Sequence, residues 1–205
     1  MEIISHRGLW EAQEEKNTKN SFNKSFDLGF GTETDVRDAN GDLVISHDIP
    51  GGNEMTLREF CSLKGVTDYT LALNIKSDGL AAKLKNTLNE FGLTKWFVFD
   101  MSIPDTLGHL QVGNPVFTRL SDIEINTVLL NESVGVWLDA FISDWYGEKI
   151  ILDLLNQGKK VCIVSPELHG RNYERVWEML KPISVNENLL ICTDFPIQAK
   201  HYFDN

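Results

Sequence analysis

The chain has little cysteine. Its three residues, Cys61, Cys162 and Cys192, are far apart and form no CxxC pair. Such an odd, dispersed set reads as buried thiols rather than a paired framework, and Cys162 and Cys192 lie in the apolar runs "VCIV" and "LLICT". Basic residues are also scarce: 19 Lys and Arg stand against 30 Asp and Glu, a formal net charge of −11. That field repels nucleic acid and anionic membrane surfaces. It leaves room for a small phosphorylated ligand, because a local cluster or bound cation reverses the sign within one pocket. No apolar run reaches membrane-spanning length. The start, "MEIISHRG", lacks the basic residues and apolar stretch of a signal peptide. A cytoplasmic protein with no membrane insertion and no nucleic-acid partner is expected. There is no linker, low-complexity segment or internal repeat, so residues 1–205 read as one domain.

Hydrophobic content of 42% and charged content of 24% are those of an ordinary globular fold, enough for one good core. Short apolar runs rich in β-branched and aromatic residues recur: "EIIS", "TETDV", "LVIS", "TLALNI", "WFVFDM", "VFTRL", "VGVWLDAF", "KVCIV" and "LLICT". Amphipathic helical stretches separate most of them. The clearest are "NSFNKSFDLGF", "DGLAAKLKNTLNEFGL", "GEKIILDLLNQG" and "NYERVWEMLKPI", with "VLLN" a shorter one. Asn40-Gly41 is a two-residue hairpin signal, so the second strand turns back on itself there. Counting that hairpin once leaves eight strand-helix units of about 25 residues, which predicts an α/β fold, a compact (β/α)8 TIM-type barrel. The same alternation also serves a doubly wound open sheet.

In such a barrel the active site lies at the carboxyl ends of the strands. His6 and Arg7 end the first strand, and Gly8 lets the chain turn away. Glu33 and Asp35 are two apart on the second strand, so both carboxylates point to one side. Two oxygen ligands on one rigid strand suit a hard cation such as Mg²⁺ or Ca²⁺. Asn74 and Lys76 repeat the spacing at the end of the third strand, and His47 closes the hairpin segment. Singly, each has an ordinary role available, as a packed histidine or a solvated strand face. Together they cluster at the strand ends of the first three units.

These residues sit in motifs that resemble the glycerophosphodiester phosphodiesterases: "HRG" at 6–8, "KNT" at 16–18, "ETDV" at 33–36, "NGDLVISHD" at 40–48, "LNIK" at 73–76 and "TDFP" at 193–196. The motifs keep the family's order, densest over 5–48, while roughly 95–190 match only in strand-helix rhythm. The resemblance implies a TIM-type barrel that cleaves phosphodiesters with a divalent cation. Two departures stand out, since Asn74 and Lys16 occupy positions where the family has acidic residues. The short stretch between His47 and Asn74 also leaves no room for the insertion many members use near the glycerol. The compact layout is similar to sphingomyelinase-D-type phospholipases too, which make cyclic phosphates.

On this reading Glu33, Asp35 and Asn74 hold the cation, and Arg7 and Lys76 bind the phosphate as a bidentate clamp and a point charge. His6 and His47 serve as general acid and base on a small phosphodiester substrate. Asp100, ending "WFVFD", is a candidate replacement ligand, and Trp145, Tyr146, His169 and Arg171 are candidates for the specificity rim. Two other outcomes remain open: a lyase that stops at the cyclic phosphate, and a phosphate-ligand binding protein that has lost turnover.

Overall fold

The computed structural model describes residues 1–205. Nine strands are present: β1 (Glu2–His6), β2 (Gly31–Ala39), β3 (Asp42–Ile45), β4 (Leu71–Ile75), β5 (Trp96–Phe99), β6 (Phe117–Leu120), β7 (Gly135–Leu138), β8 (Lys160–Val164) and β9 (Leu189–Thr193). Seven α-helices accompany them: α1 (Lys19–Asp27), α2 (Leu57–Cys61), α3 (Ala81–Glu90), α4 (Ile103–Gln111), α5 (Glu148–Asn156), α6 (Glu174–Leu180) and α7 (Pro196–Asp204). The strand order is β5-β4-β2-β1-β9-β8-β7-β6, with β3 attached to β2. Order in space follows order in the chain and β1 lies between β2 and β9, as in a (β/α)8 barrel rather than a doubly wound sheet. No helix is long and apolar enough to cross a membrane.

Contacts group the chain into two compact units, residues 5–116 and residues 1–4 with 117–205. In the first, β2, β4 and β5 are parallel, with Glu33 opposite Ala72, Asp35 opposite Asn74 and Asn74 opposite Phe99. The hairpin forms where Asn40-Gly41 predicts it. Ala39 pairs with Asp42, and both turn residues take positive φ, 50° and 85°. Helix α1 starts at a Thr18/Ser21 capping box and turns Phe22 and Phe26 inward, where Phe22 meets Phe60 edge-on at 4.8 Å. Phe22 is fully buried, so truncating it to Ala costs about 3–5 kcal/mol. Leu71, Leu73 and Ile75 of β4 join that cluster. Period-two geometry then sends Ala72 and Asn74 to the opposite face, together with Glu33 and Asp35.

In the second unit, β6 to β9 are parallel, and Val136, Leu138, Val161, Ile163, Leu189 and Ile191 pack against α5 and α6. The helix expected at "VLLN" is absent: residues 121–134 run from β6 to β7 as turns, and Leu129 takes φ 60°. A β-branched Val and an Asn bracket only two leucines there, too short a run to offset nucleation.

Candidate active site

Asp35 organises the site. Its carboxylate is fully buried, with Arg7 Nε 2.9 Å from Oδ2 and Lys76 Nζ 3.3 Å from Oδ1 as ion pairs. Asn17 Nδ2 donates to Oδ2 at 2.9 Å, and Asn17 Oδ1 accepts from Thr34 Oγ1 at 2.8 Å. Arg7 and Asn17 both adopt left-handed backbone, φ 60° and 58°. They are tied by Arg7 N donating to Glu33 O and Asn17 N to Arg7 O, both at 3.0 Å. Left-handed conformations are costly outside glycine and concentrate where the surrounding structure overrides them. At Gly8, φ 86°, an added Cβ would fall 2.5 Å from Ser21 Oγ, so only glycine fits between β1 and α1.

Glu33 lies beside this group, with His6 Nε2 3.9 Å from its Oε2. Burial pushes its carboxyl well above the usual range. The Asp35 charge adds to the rise and that of Asp100 adds less, while Arg7 and Lys76 oppose it. Asn74 Nδ2 donates to Asp100 Oδ2 at 3.1 Å, and Asp100 is also left-handed, φ 67°. His47 is half exposed, its Nδ1 paired with Asp48 Oδ1 at 2.9 Å. It lines the same cleft as Arg7 and Asn17. The structure thus links His6, Arg7, Glu33, Asp35, Asn74 and Lys76 by contact or register, and puts His47 on the adjoining cleft wall.

The donor set fits a hard cation. Glu33 Oε2, Asp35 Oδ1 and Asn74 Oδ1 are buried without a hydrogen bond, Asp35 Oδ1 facing Lys76 Nζ at 3.3 Å, and oxygens in that state suit a hard cation. No three His, Cys, Asp or Glu side chains form a metal-holding group.

Sequence reading passed over Asn17 as a functional residue although it lies within "KNT". The available signal was an asparagine, tolerant of left-handed backbone, directly before the helix cap Thr18. On the proposed rim, Tyr146 is buried rather than displayed, and burial raises its hydroxyl far above the usual phenol range. Trp145 Nε1 donates to Asp139 O at 2.7 Å. His169 and Arg171 are committed within the fold: His169 Nε2 pairs with Asp139 Oδ1 at 2.7 Å, and Arg171 Nη1 donates to Asp144 Oδ1 at 2.6 Å.

No protein-family model matches the chain, and no curated protein matches it in sequence. Solved structures do match. One glycerophosphodiester phosphodiesterase from Parabacteroides distasonis is 17% identical, with a TM-score of 0.72 over 99% of this chain and 96% of that one. The fold is shared with glycerophosphodiester phosphodiesterases. Another, from Agrobacterium tumefaciens, gives 15% identity and a TM-score of 0.72 over 100% of this chain and 99% of its own. A phosphodiesterase from Oleispira antarctica, solved with the product sn-glycerol-3-phosphate, gives 17% and 0.74 over 100% and 97%.

Proposed function

We propose that the chain is a metal-dependent phosphoric diester hydrolase acting on a small, soluble, glycerophosphodiester-like substrate. One observation carries this reading: three buried oxygens without hydrogen bonds, from Glu33, Asp35 and Asn74, beside the cations Arg7 and Lys76. A Mg²⁺ or Ca²⁺ ion held by those oxygens would neutralise the phosphodiester charge and favour the charge-rich transition state. Arg7 and Lys76 bind the phosphate oxygens, and Asp35 and Asn17 fix the guanidinium and the strand beneath it. His6 and His47 move the two protons, one leaving the attacking hydroxyl and one reaching the departing alcohol. With His47 Nδ1 held by Asp48, its Nε2 is the atom turned to substrate.

The net charge of −11 argues against nucleic acid as substrate. Three buried free thiols suit a reducing cytoplasm. The test is a panel of phosphodiesters assayed with Mg²⁺, with Ca²⁺ and with EDTA, the products read by ³¹P NMR. Turnover to a phosphomonoester that EDTA abolishes is the expected result. EDTA-resistant turnover overturns the metal assignment, and a cyclic phosphate as end product identifies a lyase. No turnover on any diester leaves a binding protein.

A further inference from the structure

Helices α6 and α7 flank a groove of about 630 Å³, lined by side chains that take no part in the reaction proposed above. That size lies within the ~300–1,000 Å³ of small-ligand sites. Aromatic rings dominate it. Tyr173 precedes Trp177 by four residues, so the two share one side of α6, and their ring centroids are 4.3 Å apart. Trp177 also meets Tyr202 of α7 at 5.6 Å. The Trp177 ring is buried among its neighbours, and its Nε1 donates to Ser165 Oγ at 2.9 Å, which fixes its orientation. Ile197 adds an exposed apolar side chain to the lining.

The charge in this lining is of one sign. Glu174 and Glu178 lie one turn apart on α6, both exposed, and no Lys or Arg lines the groove. Glu174 accepts from the neutral Asn172 Nδ2 at 3.4 Å, and Glu178 pairs with no cation. His201 in the lining has its Nδ1 held by Asn205 Nδ2 at 3.1 Å. The neighbouring ammonium groups are placed elsewhere: Lys200 pairs with Asp204 at 2.7 Å, and Lys181 lies outside the lining, its Nζ 4.6 Å from the Tyr202 centroid.

We propose that the groove between α6 and α7 binds a small quaternary ammonium compound. Aromatic faces attract a cation through the ring quadrupole, and two carboxylates without a cationic partner complement its charge. The N-methyl groups bury against the rings and Ile197 and ask for no hydrogen-bond acceptor. A primary ammonium is more strongly hydrated and loses more on entering such a lining.

The test titrates the protein with choline, with its uncharged carbon analogue 3,3-dimethylbutan-1-ol, and with ethanolamine. Binding is followed by ¹H–¹⁵N NMR at the Trp177 indole N–H, the signal absent from Trp177→Phe. Choline should shift that signal saturably, and the other two should bind about tenfold more weakly. The double variant Glu174→Gln, Glu178→Gln changes only exposed side chains, so it should keep its Tm and bind choline about threefold more weakly. Tyr202→Leu keeps apolar bulk and should lose about tenfold. Equal affinity for choline and the carbon analogue makes the groove merely apolar and overturns the proposal. Absence of a saturable shift at Trp177 overturns it as well. So does binding of a trimethyllysine peptide but not of choline, which assigns the groove to a protein partner.

Discussion

Asp35 and Asn74 stand opposite each other in the parallel register of β2 and β4, and each keeps its Oδ1 atom buried without a hydrogen bond. An unsatisfied buried polar atom costs about 1–3 kcal/mol. Lys76 Nζ, 3.3 Å away, offsets that cost at Asp35 Oδ1, which leaves Asn74 Oδ1 and Glu33 Oε2 as the oxygens a further ligand would satisfy. Anything that satisfies these oxygens stabilises the folded chain by mass action.

Glu33→Gln tests whether that gain comes from a cation. The substitution keeps the shape and removes one of the buried carboxylates around Asp35 and Asp100, whose charges disfavour one another. Tm without added metal should hold or rise. The increase in Tm on adding Mg²⁺ or Ca²⁺ should be lost, as should activity. A cation-induced shift as large as that of the wild type removes Glu33 from the ligand set.

Asn74→Asp should act in the opposite direction. A carboxylate there gives up the donor to Asp100 and sets two acidic groups against each other, at a cost of about 1–3 kcal/mol without metal. With the cation present, one more anionic ligand should lower its dissociation constant about tenfold or more. Turnover need not rise, since a more neutralised cation polarises the phosphate less. Unchanged affinity by calorimetry in a folded variant shows that Asn74 serves Asp100 alone.

The histidines are separable by the same logic. His47 is 45% exposed, so His47→Ala should leave Tm unchanged while kcat drops by about 10²-fold or more. His6→Ala, next to buried Glu33, should lose as much activity. Near-normal kcat in either variant removes that histidine from proton transfer.

Local rules explain which parts of this site were legible. Glu33, Asp35, Asn74 and Lys76 share a face because strands repeat every two residues, and Asn40-Gly41 makes a hairpin because both positions tolerate positive φ. Asn17 and Asp100 depend on longer-range facts. Each takes a left-handed backbone that brings its side chain to a residue on another strand, Asp35 for one and Asn74 for the other. Tyr146 is one of the rim candidates of the polar loop "ISDWYGE", and packing draws it into the core. His169 and Arg171 read as rim residues in the sequence, but Asp139 and Asp144 engage their side chains in the fold.

A pH dependence of stability should come from a residue outside the site. His109 on α4 is fully buried, and its Nδ1 accepts from Asn114 Nδ2 at 2.9 Å. A proton on Nδ1 would break that contact. Burial pulls its pKa below the ordinary value of about 6.5, and the Asp105 carboxylate 3.5 Å from Nε2 opposes the pull only in part. The folded pKa is the lower of the two, so the unfolded chain takes up the proton first as pH falls. The neutral histidine's contribution is therefore complete above about 6.5 and is lost as pH falls from there toward the folded value. Tm measured across that window should fall less steeply in His109→Gln than in the wild type. Parallel profiles assign the acid sensitivity elsewhere.

Asn17 offers the sharpest separation of structure from function. Its amide holds Asp35 Oδ2 and Thr34 Oγ1 at once, and its backbone sits at φ 58°. Asn17→Gly accepts that φ without strain and removes only the amide. Asn17→Ala removes the same amide and adds a left-handed penalty of about 1–2 kcal/mol. If Asn17 positions Asp35, both variants should lose kcat by a similar factor, roughly tenfold, the cost of a loosened catalytic geometry. Only Asn17→Ala should show a marked fall in Tm. Should the Gly variant keep full kcat while the Ala variant loses both, the residue serves the turn and nothing more. Should kcat fall in both while Tm falls in Ala alone, the amide is a positioning group for the carboxylate on which Arg7, Lys76 and the proposed cation converge.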